Sequence, residues 1–322
     1  MKKSLVLLAG GILFVMGCNK SVSNEEGLPE EEITVTQRHC AADDVLKAQI
    51  KADPSLRQRM DAIEDFTQRV SANPQQYRLV NGIIEIPVVF NVLYKTSAQN
   101  VSLTQLQSQI DVLNEDYSAT NADYNLTSTY NSVKSGNIGV RFVLDAVNRR
   151  STTKTSWSTN DAMKKSAQGI VPTSPTTKLN IWVCNMGGGI LGYAQFPGGN
   201  SATDGVVLDD NATGRTGTAA APFNKGRTAT HEVGHWMNLR HIWGDATCGN
   251  DQVGDTPTHN TANYGCPATG HKSTCSGTPV EMTMNYMDYT DDACMYMFSL
   301  GQKSRMLAVF ATGGPRNSFA QP

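Results

Sequence analysis

Between residues 43 and 70, apolar side chains recur mostly at the three- and four-residue intervals that place them on one face of a helix. The positions that follow this pattern are Leu46, Ile50, Leu56, Met60, Ile63, Phe66 and Val70. Pro54 interrupts the pattern, because proline has no amide hydrogen and ends or kinks a helix. The pattern therefore predicts helical structure, interrupted near Pro54, ahead of the main domain.

From residue 83 onward the pattern changes to that of strands. The run IIEIPVVFNVLY at 83–94 is rich in β-branched residues, and shorter apolar runs follow at 139–144, 179–184 and 204–208. Residues 102–117 instead have the spacing of an amphipathic helix, which Ser102 can cap. The chain thus predicts a strand, a helix and three further strands before residue 231, without an internal repeat.

The N-terminus has the pattern of an export signal. Positive charge at residues 2 and 3 precedes an apolar run over residues 5–16, which is shorter than a comfortable membrane span. The run ends in Val15-Met16-Gly17-Cys18, which resembles a bacterial lipobox with Cys18 as the lipidated residue. We expect a lipoprotein held at the cell envelope or cell surface by its lipid alone, which processing can release. The alternative is secretion after cleavage near Gly17.

Composition fits an exported globular protein. The 322 residues carry a net charge of −2, and 17% of them are charged, so no basic surface suggests a nucleic-acid partner. The length allows one domain of ordinary size and a small additional one. Residues 19–36 are polar and acidic, which is typical of a flexible stalk.

The segment HEVGHWMNLRH at 231–241 carries the chemistry of the chain. His231 and His235 are four residues apart and therefore lie on one face of a helix, where both imidazoles can bind one metal ion. His241 follows six residues later and can reach the same ion only if the chain turns sharply. Asn238 can make that turn, because asparagine tolerates the left-handed backbone conformation well. Three histidines leave the fourth position of a tetrahedral zinc ion for water.

Glu232 follows the first of these histidines directly. Its carboxylate can point at the water without binding the metal, take a proton from it and pass that proton to the leaving amine. The segment therefore predicts metal-assisted hydrolysis with Zn²⁺ as cofactor and Glu232 as general base. The alternative is a chance occurrence of this pattern on a structural helix.

This segment resembles the extended zinc-binding motif of the metzincin metallopeptidases, with Asn238 in place of the usual glycine. Residues 284–294 (MNYMDYTDDAC) resemble the Met-turn of the pappalysin family, in its bacterial ulilysin-like branch. The resemblance implies an α+β fold: a twisted mixed sheet with a backing helix and the zinc helix, above an irregular part that carries the Met-turn and a C-terminal helix. With the export signal as a signal peptide at 1–17, we expect a linker and prosegment at 18–77 and a catalytic domain at 78–322.

The resemblance also implies roles for residues around the Met-turn. Met287 would form an apolar floor beneath the zinc ligands, and Tyr289 would stabilise the oxyanion. Asp291 and Asp292 would line the pocket for the side chain after the scissile bond, so that arginine is preferred there. The alternative for this pair is a solvated acidic surface. We expect protein or peptide substrates and a monomeric enzyme.

The cysteines call for separate explanations. Four of them, Cys248, Cys266, Cys275 and Cys294, flank the Met-turn region, and an exported chain permits disulfides. Their spacing alone leaves three pairings open, whereas the resemblance implies Cys248 with Cys275 and Cys266 with Cys294. Cys184 lies in an apolar strand and is predicted to be a buried free thiol.

Cys40 precedes the predicted helices in the segment Arg38-His39-Cys40-Ala41. A thiolate is a strong zinc ligand, so Cys40 can act as a latency switch that takes the water's position. Ala41 stands where the comparable motif usually has glycine, and an exposed spare thiol is the alternative. If arginine is preferred after the cut bond, self-cleavage between Tyr77 and Arg78 would release the prosegment.

Two further predictions concern the loops. Asp251 and Asp255 lie in a short loop and can offer oxygen ligands to a Ca²⁺ ion, although an aspartate-rich turn explains them as well. The glycine-rich residues 185–194 are predicted to form the rim of the cleft, where a strand edge pairs with an extended peptide. A surface adhesion protein that keeps the fold without catalysis is the alternative function, and the intact Glu232 argues against it.

Overall fold

A five-stranded sheet forms the centre of the computed structural model, which describes residues 35–73 and 82–320. Its strands are β1 (Ile84–Tyr94), β2 (Val140–Ser151), β3 (Leu179–Cys184), β4 (Gly192–Ala194) and β5 (Val206–Asp209). The strand order is β2-β1-β3-β5-β4, and only β4 runs antiparallel to its neighbour. The α+β class is confirmed, while β4, three residues long, was not predicted as a separate strand.

Two helices lie against this sheet, a backing helix of 16 residues and a shorter helix of 10 residues. The backing helix α3 (Leu103–Ser118) begins where predicted, because the Ser102 hydroxyl accepts a hydrogen bond from the amide of Gln105. The helix α4 (Arg227–Trp236) is buried along its whole length. The Tyr117 hydroxyl at the end of α3 donates to the Thr230 carbonyl at 3.1 Å, which ties the backing helix to α4.

The chain from residue 237 to residue 299 has little regular structure. Two disulfides hold it together, Cys248–Cys275 and Cys266–Cys294, which is the pairing implied by the resemblance. The helix α5 (Leu300–Ala308) follows, with a capping box between Ser299 and Gln302. Cys184 is a buried free thiol, as predicted.

Two helices precede the sheet, α1 (Ala42–Ala52) and α2 (Ser55–Ala72). Pro54 lies between them, so the predicted interruption is confirmed. The helix α1 packs beside β4, and α2 packs against α5.

The export signal, Cys18 and the bond between Tyr77 and Arg78 lie outside the residues that the structure describes. No helix within residues 35–73 and 82–320 is both long and apolar enough to cross a membrane.

Candidate active site

The helix α4 brings His231 and His235 to one face. Both side chains are fully buried, and their Nε2 atoms are 3.2 Å apart. Four residues along a helix correspond to slightly more than one turn, which explains why the two rings meet.

The chain reverses directly after α4 and returns a third histidine to this pair. Asn238 has a φ of 74°, the left-handed conformation that its position predicted. The amide of Leu239 donates to the Gly234 carbonyl at 2.9 Å and closes the turn. His241 then lies with its Nε2 atom 3.0 Å from that of His235.

The opposite ring nitrogens are each held by an oxygen. Nδ1 of His231 lies 2.6 Å from the Tyr286 carbonyl, and Nδ1 of His235 lies 2.8 Å from the Leu239 carbonyl. Nδ1 of His241 lies 2.5 Å from the Asp245 carboxylate. Such partners hold the Nδ1 proton and leave the Nε2 lone pairs free to bind a metal.

The donor set fits a zinc ion. Three imidazole nitrogens at the usual Zn–N distance in tetrahedral geometry are about 3.3 Å apart, close to the 3.0 and 3.2 Å separations measured here. Burial and the neighbouring histidines lower the pKa of His231, and burial lowers that of His235 to about 3, so these rings are neutral. Three buried lone pairs that converge on one point need a cation between them.

The Cys40 thiol completes this group. Its Sγ atom and one ring nitrogen of each histidine all lie within 4.8 Å of one another. Burial raises the pKa of the Cys40 thiol, with a further contribution from the charge of Glu232. Only a nearby metal cation would therefore make the thiolate the favoured form.

Glu232 lies beside the ligands and outside the ligand group. Its carboxylate is buried, which raises its pKa to about 8, and its Oε2 lies 3.4 Å from the Cys40 sulfur. Gly192 of the edge strand faces it closely, since a Cβ added at Gly192 would lie 3.1 Å from the Glu232 side chain. A glycine at this position therefore leaves room for the carboxylate at the strand edge.

Met287 lies beneath α4. It is fully buried, and its sulfur would lie 2.5 Å from a Cβ added at Gly234, so the methionine packs directly against the helix backbone. The amide of Ile242 donates to the Met287 carbonyl at 3.1 Å, which joins the Met-turn to the segment that carries His241.

Tyr289 faces the metal-ligating group from the other side. Its ring centroid lies 5.0 Å from that of His241, and its hydroxyl donates to the Cys40 carbonyl at 2.9 Å. The phenol is therefore close enough to donate a hydrogen bond to a group that replaces Cys40.

The acidic pocket contains one aspartate in contact with a basic side chain, where the sequence predicted two. Asp292 accepts a hydrogen bond from the Arg38 guanidinium at 2.6 Å, and both side chains are almost completely buried. Arg38 also donates to the Thr228 hydroxyl and the Thr290 carbonyl, and its guanidinium lies over the Phe223 ring.

Asp291 does not share this contact. Burial raises the pKa of Asp291, and its amide donates to the Gly265 carbonyl at the side of the disulfide-linked loop. The charge of Arg38 opposes this rise in the pKa of Asp291, and no hydrogen bond joins the two side chains within the described residues, so the role of Asp291 in the pocket stays a prediction.

Arg38 itself had no predicted role. Its position two residues before Cys40 could have predicted a place in the same cleft, because an extended chain directs alternate side chains to the same side. That spacing brings Arg38 and Cys40 to the cleft together.

Residues 39–41 lie along the edge strand β4. The amide of Ala41 donates to the Gly192 carbonyl, and the amide of Leu191 donates to the His39 carbonyl, both at 3.0 Å. The pairing is parallel. The glycine-rich segment thus contains a strand edge that pairs with an extended chain, as predicted.

The predicted calcium loop has other contacts. The Asp251 carboxylate accepts a hydrogen bond from the Thr256 hydroxyl at 2.8 Å. The Asp255 carboxylate accepts from the Ser299 hydroxyl and the Gly301 amide at the start of α5. Across the described part of the chain, neither aspartate belongs to a group of three or more potential metal ligands. The calcium site therefore stays a prediction.

A mixed sheet above a helix with two histidines, a turn that returns the third histidine and a methionine below them together define a metzincin-type zinc peptidase. The model of peptidase family M43, described as pregnancy-associated plasma protein-A, matches residues 179–311. An extracellular metalloprotease of Verticillium alfalfae is 35% identical over 232 residues, which are 69% of this chain and 76% of that protein. Extracellular metalloprotease 1 of Coccidioides posadasii is 31% identical over 70% of this chain and 77% of its own length.

Solved structures agree with these relatives. Mature mirolysin of Tannerella forsythia in complex with a cleaved peptide is 43% identical, with a TM-score of 0.71 over 74% of this chain and 95% of that chain. A promirolysin mutant from the same organism is 39% identical, with a TM-score of 0.79 over 88% of this chain and 97% of that chain. The chain belongs to the M43, or pappalysin, family of zinc metallopeptidases.

Asn238 permits a stability prediction. We expect Asn238→Ala to lower the free energy of unfolding by about 1–2 kcal/mol, because alanine is strained in the left-handed conformation. Asn238→Gly is the matched control, since glycine adopts this conformation freely and both variants lose the same amide side chain. Denaturant unfolding of the two proteins measures the difference. Equal stability of the alanine and glycine variants would contradict the prediction.

Proposed function

We propose that this zinc metallopeptidase is exported as a latent endopeptidase that cuts peptide bonds on the amino side of arginine. The observation that carries the proposal is Arg38, which fills a buried pocket ending at Asp292. Arg38 lies two residues from Cys40, and the Cys40 sulfur lies beside the three histidines and Glu232. The pocket beside the metal-ligating group therefore accepts a guanidinium, and a substrate that runs in the opposite direction to residues 38–40 would place its arginine there directly after the cut bond.

The residues around the histidines divide the chemistry between them. When bound, the zinc ion supplies Lewis acidity and lowers the pKa of a water ligand. The Glu232 carboxylate accepts the proton of the attacking water and returns it to the leaving amine. Burial raises the pKa of Glu232, so the carboxylate holds a proton taken from water more readily than an exposed glutamate would. The Tyr289 hydroxyl donates a hydrogen bond to the oxyanion of the attacked carbonyl.

The pocket favours arginine over lysine because its acceptors are spread over several directions. Arg38 donates to the Asp292 carboxylate, to the Thr228 hydroxyl and to the Thr290 carbonyl from three different nitrogens. The planar guanidinium also stacks over an aromatic ring, at 5.0 Å from the Phe223 centroid. A lysine ammonium is a compact charge without this fork, so it would leave acceptors unpaired.

Latency follows from the same contacts. The Cys40 sulfur and the three histidine nitrogens lie within 4.8 Å of one another, so these four residues would hold a zinc ion together and Cys40 would exclude water from the metal. The hydrogen bonds of residues 39 and 41 to the edge strand hold the segment in place. Residues 18–77 are the prosegment and residues 78–322 the catalytic domain, and a cut between Tyr77 and Arg78 separates the two parts of the chain. N-terminal sequencing of the active enzyme tests this boundary.

Replacing Cys40 should activate the full-length chain. We expect full-length Cys40→Ala to hydrolyse peptide faster than the unprocessed parent, because without the sulfur the segment is held only by the Arg38 pocket, the strand-edge hydrogen bonds and α2, and leaves the cleft more often. The measurement is initial rate on an arginine-containing peptide with zinc present. Cys184→Ala is the matched control, since within residues 35–73 and 82–320 Cys184 is the other buried free thiol and does not belong to the metal-ligating group. Equal latency in both variants would contradict a role for Cys40.

Export is supported by relatives that are named extracellular metalloproteases. The support for anchoring is the lipobox-like sequence that ends at Cys18. Mass spectrometry of the N-terminal peptide from membrane fractions tests the anchor. A thioether-linked lipid on Cys18 is expected, and an unmodified mature N-terminus would favour plain secretion.

Mapping cut sites in a peptide library with the activated full-length protein tests the proposed function. We expect arginine directly after the cut bond and complete loss of cleavage with a chelator. Cleavage without any preference for a basic residue would overturn the assignment of the pocket. Processed, zinc-loaded protein that cuts nothing would instead favour the adhesion alternative.

A further inference from the structure

The helix α2 makes a second contact with the catalytic domain, away from Cys40. The Glu64 carboxylate accepts two hydrogen bonds from the Arg305 guanidinium of α5, at 2.8 and 2.6 Å. The side chains are 17% and 4% exposed, so water competes little for this bidentate pair. Arg240 lies 3.8 Å from the same carboxylate and adds positive charge on the catalytic side.

Arg305 also holds the turn that carries the third zinc ligand. Its Nε donates to the Asn238 carbonyl at 2.7 Å. The Asn238 amide group in turn approaches the Thr67 hydroxyl of α2 at 3.4 Å. The helix α2 and the turn of the metal site therefore share one arginine.

An apolar seam continues this contact along α2. Val70 packs with Ala308 and Ala311, and Phe66 lies against the same cluster. Near the start of α2, the Arg59 guanidinium donates to the Gly198 carbonyl at 2.9 Å. We call the contacts of Glu64, Phe66, Thr67 and Val70 the α2 anchor.

We infer that the α2 anchor keeps the prosegment bound to the catalytic domain after the chain between α2 and β1 has been cut. The released segment would thus be a dissociable protein inhibitor, and the Glu64–Arg305 pair would control its departure. This inference rests on the proposed latency and extends it. A fragment held at α2 presents Arg38 and Cys40 to the site at high effective concentration, so a cut alone does not open the cleft.

The buried charges explain why Glu64 should control release. With glutamine at position 64, the Arg305 guanidinium loses its charged partner and keeps at most one of the two hydrogen bonds. Removing one partner of a buried, hydrogen-bonded charge pair acts mainly by raising the dissociation rate. The apolar seam alone is small, since it contains mainly alanine and valine side chains beside Phe66.

The test uses the folded full-length chain with the inactivating change Glu232→Ala and a specific protease site placed within residues 74–81. After the cut, size-exclusion chromatography shows whether the two fragments elute together, and exchange with a labelled fragment measures the dissociation rate. We expect co-elution for the parent protein. We expect release at least about tenfold faster for Glu64→Gln. Asp65→Asn is the matched control, because Asp65 is the next residue of α2 and is exposed.

If the two fragments of the parent protein, in which α2 is unaltered, separated immediately after the cut, the inference would be overturned. Equal release from the Glu64→Gln and Asp65→Asn proteins would overturn the role of the ion pair. Thermal unfolding of the uncut variants shows whether each is folded before the cut.

The Cys40→Ala change separates this inference from the proposed latency. Failure of the latency proposal would appear as a full-length Cys40→Ala protein with no gain in activity. Failure of the α2 anchor would appear as rapid dissociation of the prosegment from the catalytic domain in the cut Glu232→Ala protein. That measurement does not depend on activity.

Discussion

Glu232→Gln should lower kcat of the activated enzyme by roughly 10²–10⁴-fold, the usual contribution of a general acid and base. Glutamine keeps the size of the side chain but cannot act as a base at neutral pH. Glu232 is the one residue to which we assign the transfer of the water's proton. The carboxylate lies outside the histidine group, so zinc content should stay unchanged. Steady-state rates on an arginine peptide and metal analysis of the same sample measure both quantities.

The control for this change is Glu85→Gln, an exposed carboxylate on β1 that pairs with Arg141 at the surface. We expect unchanged kcat in that variant. A Glu232→Gln enzyme that retained zinc and most of its kcat would show that another group moves the proton. Loss of zinc in the variant would instead assign Glu232 a role in metal binding.

Asp292→Asn should lower kcat/KM for substrates with arginine after the cut bond by about 10²-fold, because the buried guanidinium then lacks its charged partner. The change should affect substrates without a basic residue far less. The ratio of kcat/KM for matched arginine and leucine peptides measures this effect and removes any general loss of activity. That ratio matters here because Asp292 also accepts hydrogen bonds from the amides of Lys225 and Arg227 at the start of α4.

Asp291→Asn is the matched control for this change. Its carboxylate makes no hydrogen bond with Arg38 in the described structure, and we expect the peptide ratio to stay near that of the parent. A similar fall in both variants would mean that the pocket depends on the general acidity of the loop. A fall confined to Asp291→Asn would reverse the assignment made here.

Local spacing explains why much of the site could be predicted. A four-residue interval on a helix brings His231 and His235 together whatever surrounds them. The turn at Asn238 follows from the few residue types that accept a positive φ. Strand runs and Ser102 likewise depend on near neighbours, and they predicted β1, β3 and α3 close to their observed bounds.

Two predictions were incomplete because they used only the pattern of neighbouring residues. The run at 139–144 predicted a strand half the length of β2, since the polar residues after it gain their pairing from β1 and not from their own pattern. The sequence could not show which of Asp291 and Asp292 pairs with Arg38, because the direction of each side chain depends on how the loop packs.

The sequence by itself predicted the three histidines and the glutamate beside them, because these residues lie within one helix and the turn that ends it, and its resemblance to a known family predicted the class of fold. Only the tertiary structure decided that Arg38 fills the pocket beside Cys40 and that Arg305 holds the second N-terminal helix. The pairs Arg38–Asp292 and Glu64–Arg305 join residues 254 and 241 positions apart. Such contacts form when distant segments pack together, and no periodicity in the chain records them.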